Sequence, residues 1–329
     1  MHKILLNPGP TNTRFMTKLY QWLGSDVCHR EDKFIKLLKQ LQINLLKRSN
    51  FKNFGNIAIM AGSGTTALES MISTLVPNNT LVIVAGKYGQ RASDIMTALD
   101  IKHLVLKSQT IDDLKKCAKT KYVFFVENET STGEHYCPKK MAALFPKAKF
   151  FVDATSSFGA NQEYNSSDRI AAFSFCSNKC LQSTPGLGIV IWKKDLERYS
   201  RSYVGDLSRF GVGSLPFTLP VQSVYALNHA LKKTKNNKQM FDNRSNKLIS
   251  EFSKMGIKCI NKHPCNSIIG FKHPTKSYHE LKKFMEKRKI ILYSGVSGVD
   301  KSFRVATMSV KFDSNFKKII RAFYDSCLC

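Results

Sequence analysis

Lys179 stands in "SNKCLQSTPG", between Asn178 and Cys180, just after the apolar run "IAAFSF" and just before a Pro-Gly turn. Most lysines are solvated surface groups. One at the end of an apolar strand is placed where loss of hydration favours the neutral, nucleophilic amine that condenses with a carbonyl. Three other stretches follow apolar runs in the same way. After "NIAIM", the stretch "AGSGTT" sets Gly62, Ser63, Gly64, Thr65 and Thr66 where a strand gives way to a helix. Backbone N–H groups, hydroxyls and a helix dipole there make either a phosphate cradle or an ordinary turn and cap. The pattern is neither a Walker loop, since no G-K-[ST] follows, nor a G-x-G-x-x-G fingerprint. After "TLVIVAG", "KYGQR" carries Tyr88, whose flat ring either covers a planar ligand or packs half-buried. After "KFFV" comes Asp153, which either pairs with a cationic ligand or caps the next turn, because an unpaired buried carboxylate is costly.

One cofactor asks for all four features. Pyridoxal 5'-phosphate needs a phosphate cup at a helix N-terminus, an aromatic face over its ring, a carboxylate at its ring nitrogen and a lysine for its aldehyde. In that reading Asp153 keeps the ring nitrogen protonated, while Lys179 holds the cofactor and then serves as the base that moves a proton.

The elements that must position these residues follow from the hydropathy pattern. "NIAIMAG", "TLVIVAG", "KYVFFVEN", "KFFVDAT", "IAAFSF" and "GLGIVIW" are runs with apolar residues at consecutive positions, separated in the first half by segments such as "TTALESMISTLV" with helical spacing. Runs of that kind are strands buried on both faces, and their alternation with helices predicts an α/β fold with a mostly parallel sheet. Ligands bind such sheets at the carboxyl ends of the strands, where all four candidates stand. A chain of 329 residues exceeds the usual size of one core. The reading is a large cofactor-binding domain over 1–220, including the N-terminal segment, and a small C-terminal α/β domain over 221–329 built from "GIKCI", "SIIGF", "YHELKKFMEKRK", "IILYSG" and "SFRVAT".

Composition narrows the function class. Lys+Arg 51 against Asp+Glu 24 gives a formal charge of +27, which attracts anions of many kinds. The basic residues are scattered: "KLLKQLQINLLKR" reads as a solvated helix face and "KKTKNNK" as a loop, with no arginine-rich or aromatic-interleaved array for nucleic acid. A basic, non-catalytic binding protein is the rival class. The nine cysteines are odd in number and contain no C-x-x-C pair, so neither a disulfide framework nor a metal site is expected. No stretch reaches the ~18 apolar residues of a membrane-spanning helix. The opening "MHKILLNPGP" has too short an apolar run for a signal peptide, so a reducing, cytoplasmic location is expected.

The motifs taken together resemble the class V aminotransferases of fold type I, and among them the 2-aminoethylphosphonate:pyruvate aminotransferases. The likeness runs through "LLNPGPTNT", "GSGTTALES", "GKYGQR", "ENETSTG", "VDATSSFGA", "SNKCLQSTPG", "SRS", "FTLP" and "SFRVA". It implies that Ser63, Gly64 and Thr65 bind the cofactor phosphate, Tyr88 stacks on the ring, Asp153 holds the ring nitrogen and Lys179 the aldehyde. It further implies a homodimer in which Thr218 reaches the neighbouring subunit's cofactor, an Arg304 that grips a substrate carboxylate, and a pocket wall from Pro8, Gly9 and Pro10. The substrates implied are an amine and a keto acid, with alanine–glyoxylate or serine–pyruvate chemistry as the alternative. The chain departs from the family pattern at "ATMS" (306–309), in a shortened 203–216 segment and at "CHRED" (28–32), all of which bear on the substrate. Asn178 stands where a cysteine desulfurase usually has histidine, which argues against that branch.

Overall fold

The apolar runs fold as strands because their side chains are covered on both sides. In the run Ile170–Cys176 every residue is buried, and Thr80–Ile83 is likewise buried throughout. The computed structural model describes residues 3–51, 55–107, 111–161, 169–234, 237–296 and 298–328. The chain opens with β1 (Ile4–Leu5), α1 (Phe15–Trp22), α2 (Asp32–Arg48), β2 (Gly55–Gly62), α3 (Gly64–Leu75), β3 (Thr80–Ile83), α4 (Lys87–Ala98) and β4 (His103–Leu106). Next come α5 (Ile111–Lys116), β5 (Tyr122–Val126), β6 (Asn128–Glu129), β7 (Glu134–His135), α6 (Pro138–Leu144), β8 (Lys149–Asp153), β9 (Ile170–Cys176) and β10 (Gly186–Lys193). The remainder holds α7 (Val221–Lys233), α8 (Asn237–Lys254), β11 (Lys258–Cys259), β12 (Ile268–Lys272), α9 (Tyr278–Lys287), β13 (Ile290–Ile291), β14 (Tyr293–Ser294), β15 (Ser302–Ala306) and α10 (Phe316–Leu328).

Seven strands form the main sheet in the order β2-β10-β9-β8-β5-β3-β4. From β9 to β4 every neighbour is parallel, whereas β10 is antiparallel to both β2 and β9. The link from β9 to β10 is too short for the crossover that parallel pairing needs, so the chain turns straight back. Each face of the sheet carries its own core. Along β2, Ile57 and Ile59 enter the cluster that holds Phe34, Leu38 and Leu41 of α2, while Ala58 and Met60 enter the one beneath α3 and α4. The stretch "KLLKQLQINLLKR" is thus only half solvated, since α2 buries an apolar stripe. In "KKTKNNK" residues 235–236 lie outside the described residues, and the flanking ones end α7 and begin α8.

A second, four-stranded antiparallel sheet, β11-β12-β15-β14, is covered by α8, α9 and α10, with Phe252, Phe271, Phe303 and Phe323 at its centre. The N-terminal strand β1 pairs in parallel with β13, and Ile4 and Leu6 join this core. Residues 8–10 are thereby carried back over the edge of the main sheet where the parallel strands end.

Helix α3 points its N-terminus at that edge. Its far end is held by Arg201, which donates to the carbonyls of Ser73 at 3.3 Å and Val76 at 3.1 Å. These are C-terminal carbonyls that lack helical partners, and a cation there also complements the dipole. We expect Arg201→Ala to lower the unfolding free energy by about 1–2 kcal/mol in urea titration. An unchanged midpoint would mean that water satisfies the helix end equally well.

Candidate active site

At the carboxyl edge of the main sheet lies a cavity of about 230 Å³, lined by Ser63, Tyr88, Asp153, Lys179 and Pro8 to Pro10 among others. Larger hollows exist elsewhere: one of about 480 Å³ beside Arg244 and Asp313 lies away from the strand ends, and one of about 390 Å³ touches the end of β2 but not Asp153 or Lys179.

The loop after β2 builds the first wall. Gly62 has φ +143, and a Cβ on it would lie 2.5 Å from Thr66 Oγ1, so only glycine makes this turn. Ser63 then caps α3: its Oγ accepts from Thr65 N at 3.1 Å and Thr66 N at 3.3 Å, and Thr66 completes a capping box. The hydroxyl of Thr65 is met by Arg91 Nη1 at 3.2 Å, and the Arg91 guanidinium also lies 5.0 Å from the centre of the Tyr88 ring. Tyr88 and Arg91, three apart near the start of α4, face the cavity together.

Asp153 ends β8, a central strand, and is 4% exposed. Its described hydrogen bonds come from Thr155, whose N–H reaches Oδ1 at 2.9 Å. Burial pushes its pKa up, and the Thr155 bonds and the charges of Lys179 and Arg91 oppose that shift. Lys179 follows β9 on a loop tied by Ser177 Oγ to Thr184 O at 2.6 Å and by Gln182 N to Lys179 O at 2.9 Å. Its Nζ donates to Ser156 Oγ at 3.1 Å and sits 5.6 Å from the Tyr88 ring centre. The N-terminal segment covers it, since a Cβ on Gly9 would stand 3.4 Å from Lys179 Cγ.

Four separate strand ends therefore deliver a helix N-terminus, an aromatic face, a buried carboxylate and a lysine amine to one space. These residues fit pyridoxal phosphate. Among the described residues Asp153 has no cationic hydrogen-bond partner, in a place where a protonated ring nitrogen would supply one, and the buried Asn128 Oδ1, also on the cavity, has no donor.

Two of the sequence-derived candidates stand apart. Thr218 lines a different cavity of about 390 Å³, on the other side of Ser63 and Thr65, together with Phe210 and Phe217. Arg304, on β15, is 4% exposed and lies behind Tyr293, with Cζ 4.6 Å from that ring centre. Its Nε donates to Ser294 O at 2.6 Å, Nη2 to Ser294 Oγ at 3.1 Å, and Nη1 to Thr130 O. Of the five N–H groups of a guanidinium, one on each Nη is left by these bonds.

Sequence reasoning passed over Arg91, Asn128, Ser156, Cys176 and Tyr293, all of which line the cavity. Arg91 was within reach, since "KYGQR" puts it one helical turn from Tyr88. Asn128 follows the end of β5, the position where a parallel sheet puts its ligand-binding residues. Tyr293 comes from the second sheet and carries no such signal.

Comparison with known proteins gives a family. Residues 90–322 match the model of the aminotransferase class-V family. A 2-aminoethylphosphonate–pyruvate transaminase of Bacillus cereus strain AH187 is 26% identical, over 97% of this chain and 96% of its own length. Among solved structures, an aspartate aminotransferase of subgroup IV from Thermus thermophilus superposes with TM-score 0.86 at 21% identity, covering 98% of each chain. An alanine–glyoxylate aminotransferase from Nostoc sp. gives TM-score 0.85 at 19% identity, over 100% of this chain and 96% of that one. The fold is that of the fold type I pyridoxal-phosphate enzymes.

Proposed function

Because the chain belongs to the class-V aminotransferase family, we propose that it moves the amino group of 2-aminoethylphosphonate to pyruvate, giving phosphonoacetaldehyde and alanine. It is a pyridoxal-phosphate-dependent transaminase that acts on small-molecule amines and keto acids. When bound, pyridoxal phosphate supplies an aldehyde that exchanges amino groups and a ring that accepts electrons.

The chain's own residues do the rest in this reading. Lys179 holds the cofactor through Nζ and moves a proton at that nitrogen to and from the reacting carbon, with Ser156 Oγ orienting it. Asp153 holds the proton of the ring nitrogen. Ser63, Gly64 and Thr65 at the α3 N-terminus, joined by Arg91, hold the phosphate. Tyr88 covers the ring, Pro8, Gly9 and Pro10 wall the substrate side, and Arg304 presents its remaining N–H pair to a carboxylate or phosphonate. The observation that carries the reading is the meeting of Lys179 and Asp153, from separate strands, on one cavity beside Tyr88.

The same reading divides the chain near residue 220 and pairs two copies. In its support, α1 presents Phe15, 76% exposed, and Trp22, 80% exposed, with Tyr203 and Val204 also exposed near Thr218. Thr218 then serves the partner's phosphate cup. A cytoplasmic location is consistent with eight described cysteines that are all free thiols. Among the described residues no helix is long and apolar enough to cross a membrane.

Donor comparison with the purified enzyme tests the substrate: turnover of 2-aminoethylphosphonate with pyruvate is expected, and turnover of serine or alanine with none of the phosphonate would overturn the assignment. In the same assay, Arg304→Lys keeps the charge and loses the fork. It is expected to raise the KM of pyruvate by about 10- to 100-fold with a smaller change in kcat.

A further inference from the structure

The stretch "ENETSTG" belongs to the family likeness, and neither of its two glutamates, Glu127 and Glu129, takes part in the proposed reaction. Glu129, on β6, is 0% exposed. Its Oε2 accepts from Tyr88 N at 3.2 Å and Gly89 N at 3.0 Å. Its Oε1 accepts from Ser131 N at 3.1 Å and from Ser131 Oγ. Ser131 Oγ accepts in turn from Lys87 N at 2.8 Å. The first three N–H groups of α4 are thus satisfied by Glu129 on β6 and by Ser131 in the turn that follows it, where a helix ordinarily uses its own N-cap side chain. The N-cap here is Gly86, and a Cβ on it would stand 2.2 Å from Ser131 Oγ and 2.7 Å from Glu129 Cδ. All the described hydrogen bonds to the Glu129 carboxylate are donated to it, and among the described residues it has no ion pair within 4.0 Å, although Arg304 is close enough to feel its charge. A buried carboxylate filled by backbone donors at the positive end of a helix fixes that helix turn in place.

That turn carries Tyr88. We propose that Glu129 is a positioning residue for the cofactor: it holds the Tyr88 backbone so that the ring stands at a fixed height over the cavity. The proposal rests on the reading above in which Tyr88 covers the cofactor ring. A carboxylate suits the task better than an amide, because an amide offers one acceptor oxygen and turns an NH2 toward donors.

A double-mutant cycle read by cofactor affinity tests it, with pyridoxal phosphate titrated into cofactor-free full-length protein by absorbance. Glu129→Gln is expected to raise Kd about tenfold when Tyr88 is present, the worth of one charge-assisted hydrogen bond. In the Tyr88→Ala background the same change is expected to shift Kd by less than about twofold. A merely structural role lowers the melting temperature and shifts Kd by the same factor in both backgrounds, which would overturn the proposal. If Glu129→Gln does not fold, Ser131→Ala leaves the carboxylate and removes one of its donors, and the cycle is expected to show the same dependence on Tyr88. Should Tyr88→Ala leave Kd unchanged, the ring-cover reading and this proposal fail together. Should Tyr88→Ala weaken binding while neither Glu129→Gln nor Ser131→Ala does, this proposal alone fails.

Discussion

Lys179→Ala is expected to lower transamination by at least about 10⁴-fold and to leave a protein to which pyridoxal phosphate no longer attaches covalently. The size follows from two tasks resting on one nitrogen. Nζ attaches the cofactor, and the same Nζ carries the proton that must leave and rejoin the reacting carbon. Other groups near Nζ offer no substitute: Ser156 Oγ is a poor base at neutral pH, and Cys176 is a buried thiol whose pKa burial pushes up. Borohydride treatment followed by mass spectrometry of the peptide around residue 179 reads the attachment, and single-turnover kinetics read the proton transfer. The folded state should survive, since Nζ has only Ser156 Oγ as a described hydrogen-bond partner. A variant that retains both the borohydride-fixed mass and its turnover would remove the lysine from the chemistry.

The lysine was legible because parallel strands leave a positional mark. Polar residues just past apolar runs are those at the carboxyl edge, and the same rule found Ser63, Tyr88 and Asp153. Other features left no such mark. β4 (His103–Leu106) is an edge strand whose Leu104 and Val105 are exposed, so its short apolar run between lysines resembles a loop. The direction of β10 is invisible to hydropathy, because a strand buried on both faces reads the same either way. Helix α1 turns Phe15 and Trp22 outward, so its apolar residues match no core within one chain.

Arg304 and Glu129 show a deeper limit. Arg304 is held by the carbonyls of Thr130 and Ser294, and Glu129 holds the N–H groups of Tyr88 and Gly89. Every residue except proline offers the same backbone N–H and C=O. Such bonds therefore impose nothing on the identity of the partner residue, and no pattern of residue types records them. Side-chain pairs such as Arg91 with Tyr88 do leave a spacing, and it was there to be read.

Asp153→Asn is the second large effect expected: a fall in kcat of about 10²- to 10³-fold, with the cofactor still attached at Lys179. Asparagine keeps the shape and one acceptor oxygen but loses the charge. Only the Asp153 carboxylate would give a protonated ring nitrogen a counter-charge in this buried site; a neutral amide would not, and the electron-accepting chemistry that the cofactor would supply would weaken accordingly. Stability against pH gives an independent check on the same carboxylate. Burial raises the pKa of Asp153 in the cofactor-free chain above its ordinary 3.8. Between 3.8 and the raised value the folded chain binds more protons than the unfolded chain. Its contribution to stability is therefore fully present below 3.8 and is lost as pH rises through the folded pKa. The stability of wild type minus that of Asp153→Asn, both cofactor-free, should accordingly fall as pH rises across that window and level off above it. With pyridoxal phosphate bound, the ring N–H supplies the missing partner, and the slope should flatten or reverse. Parallel stability curves with and without the cofactor, or a variant whose kcat stays within about twofold, would show that this carboxylate does not face the ring nitrogen.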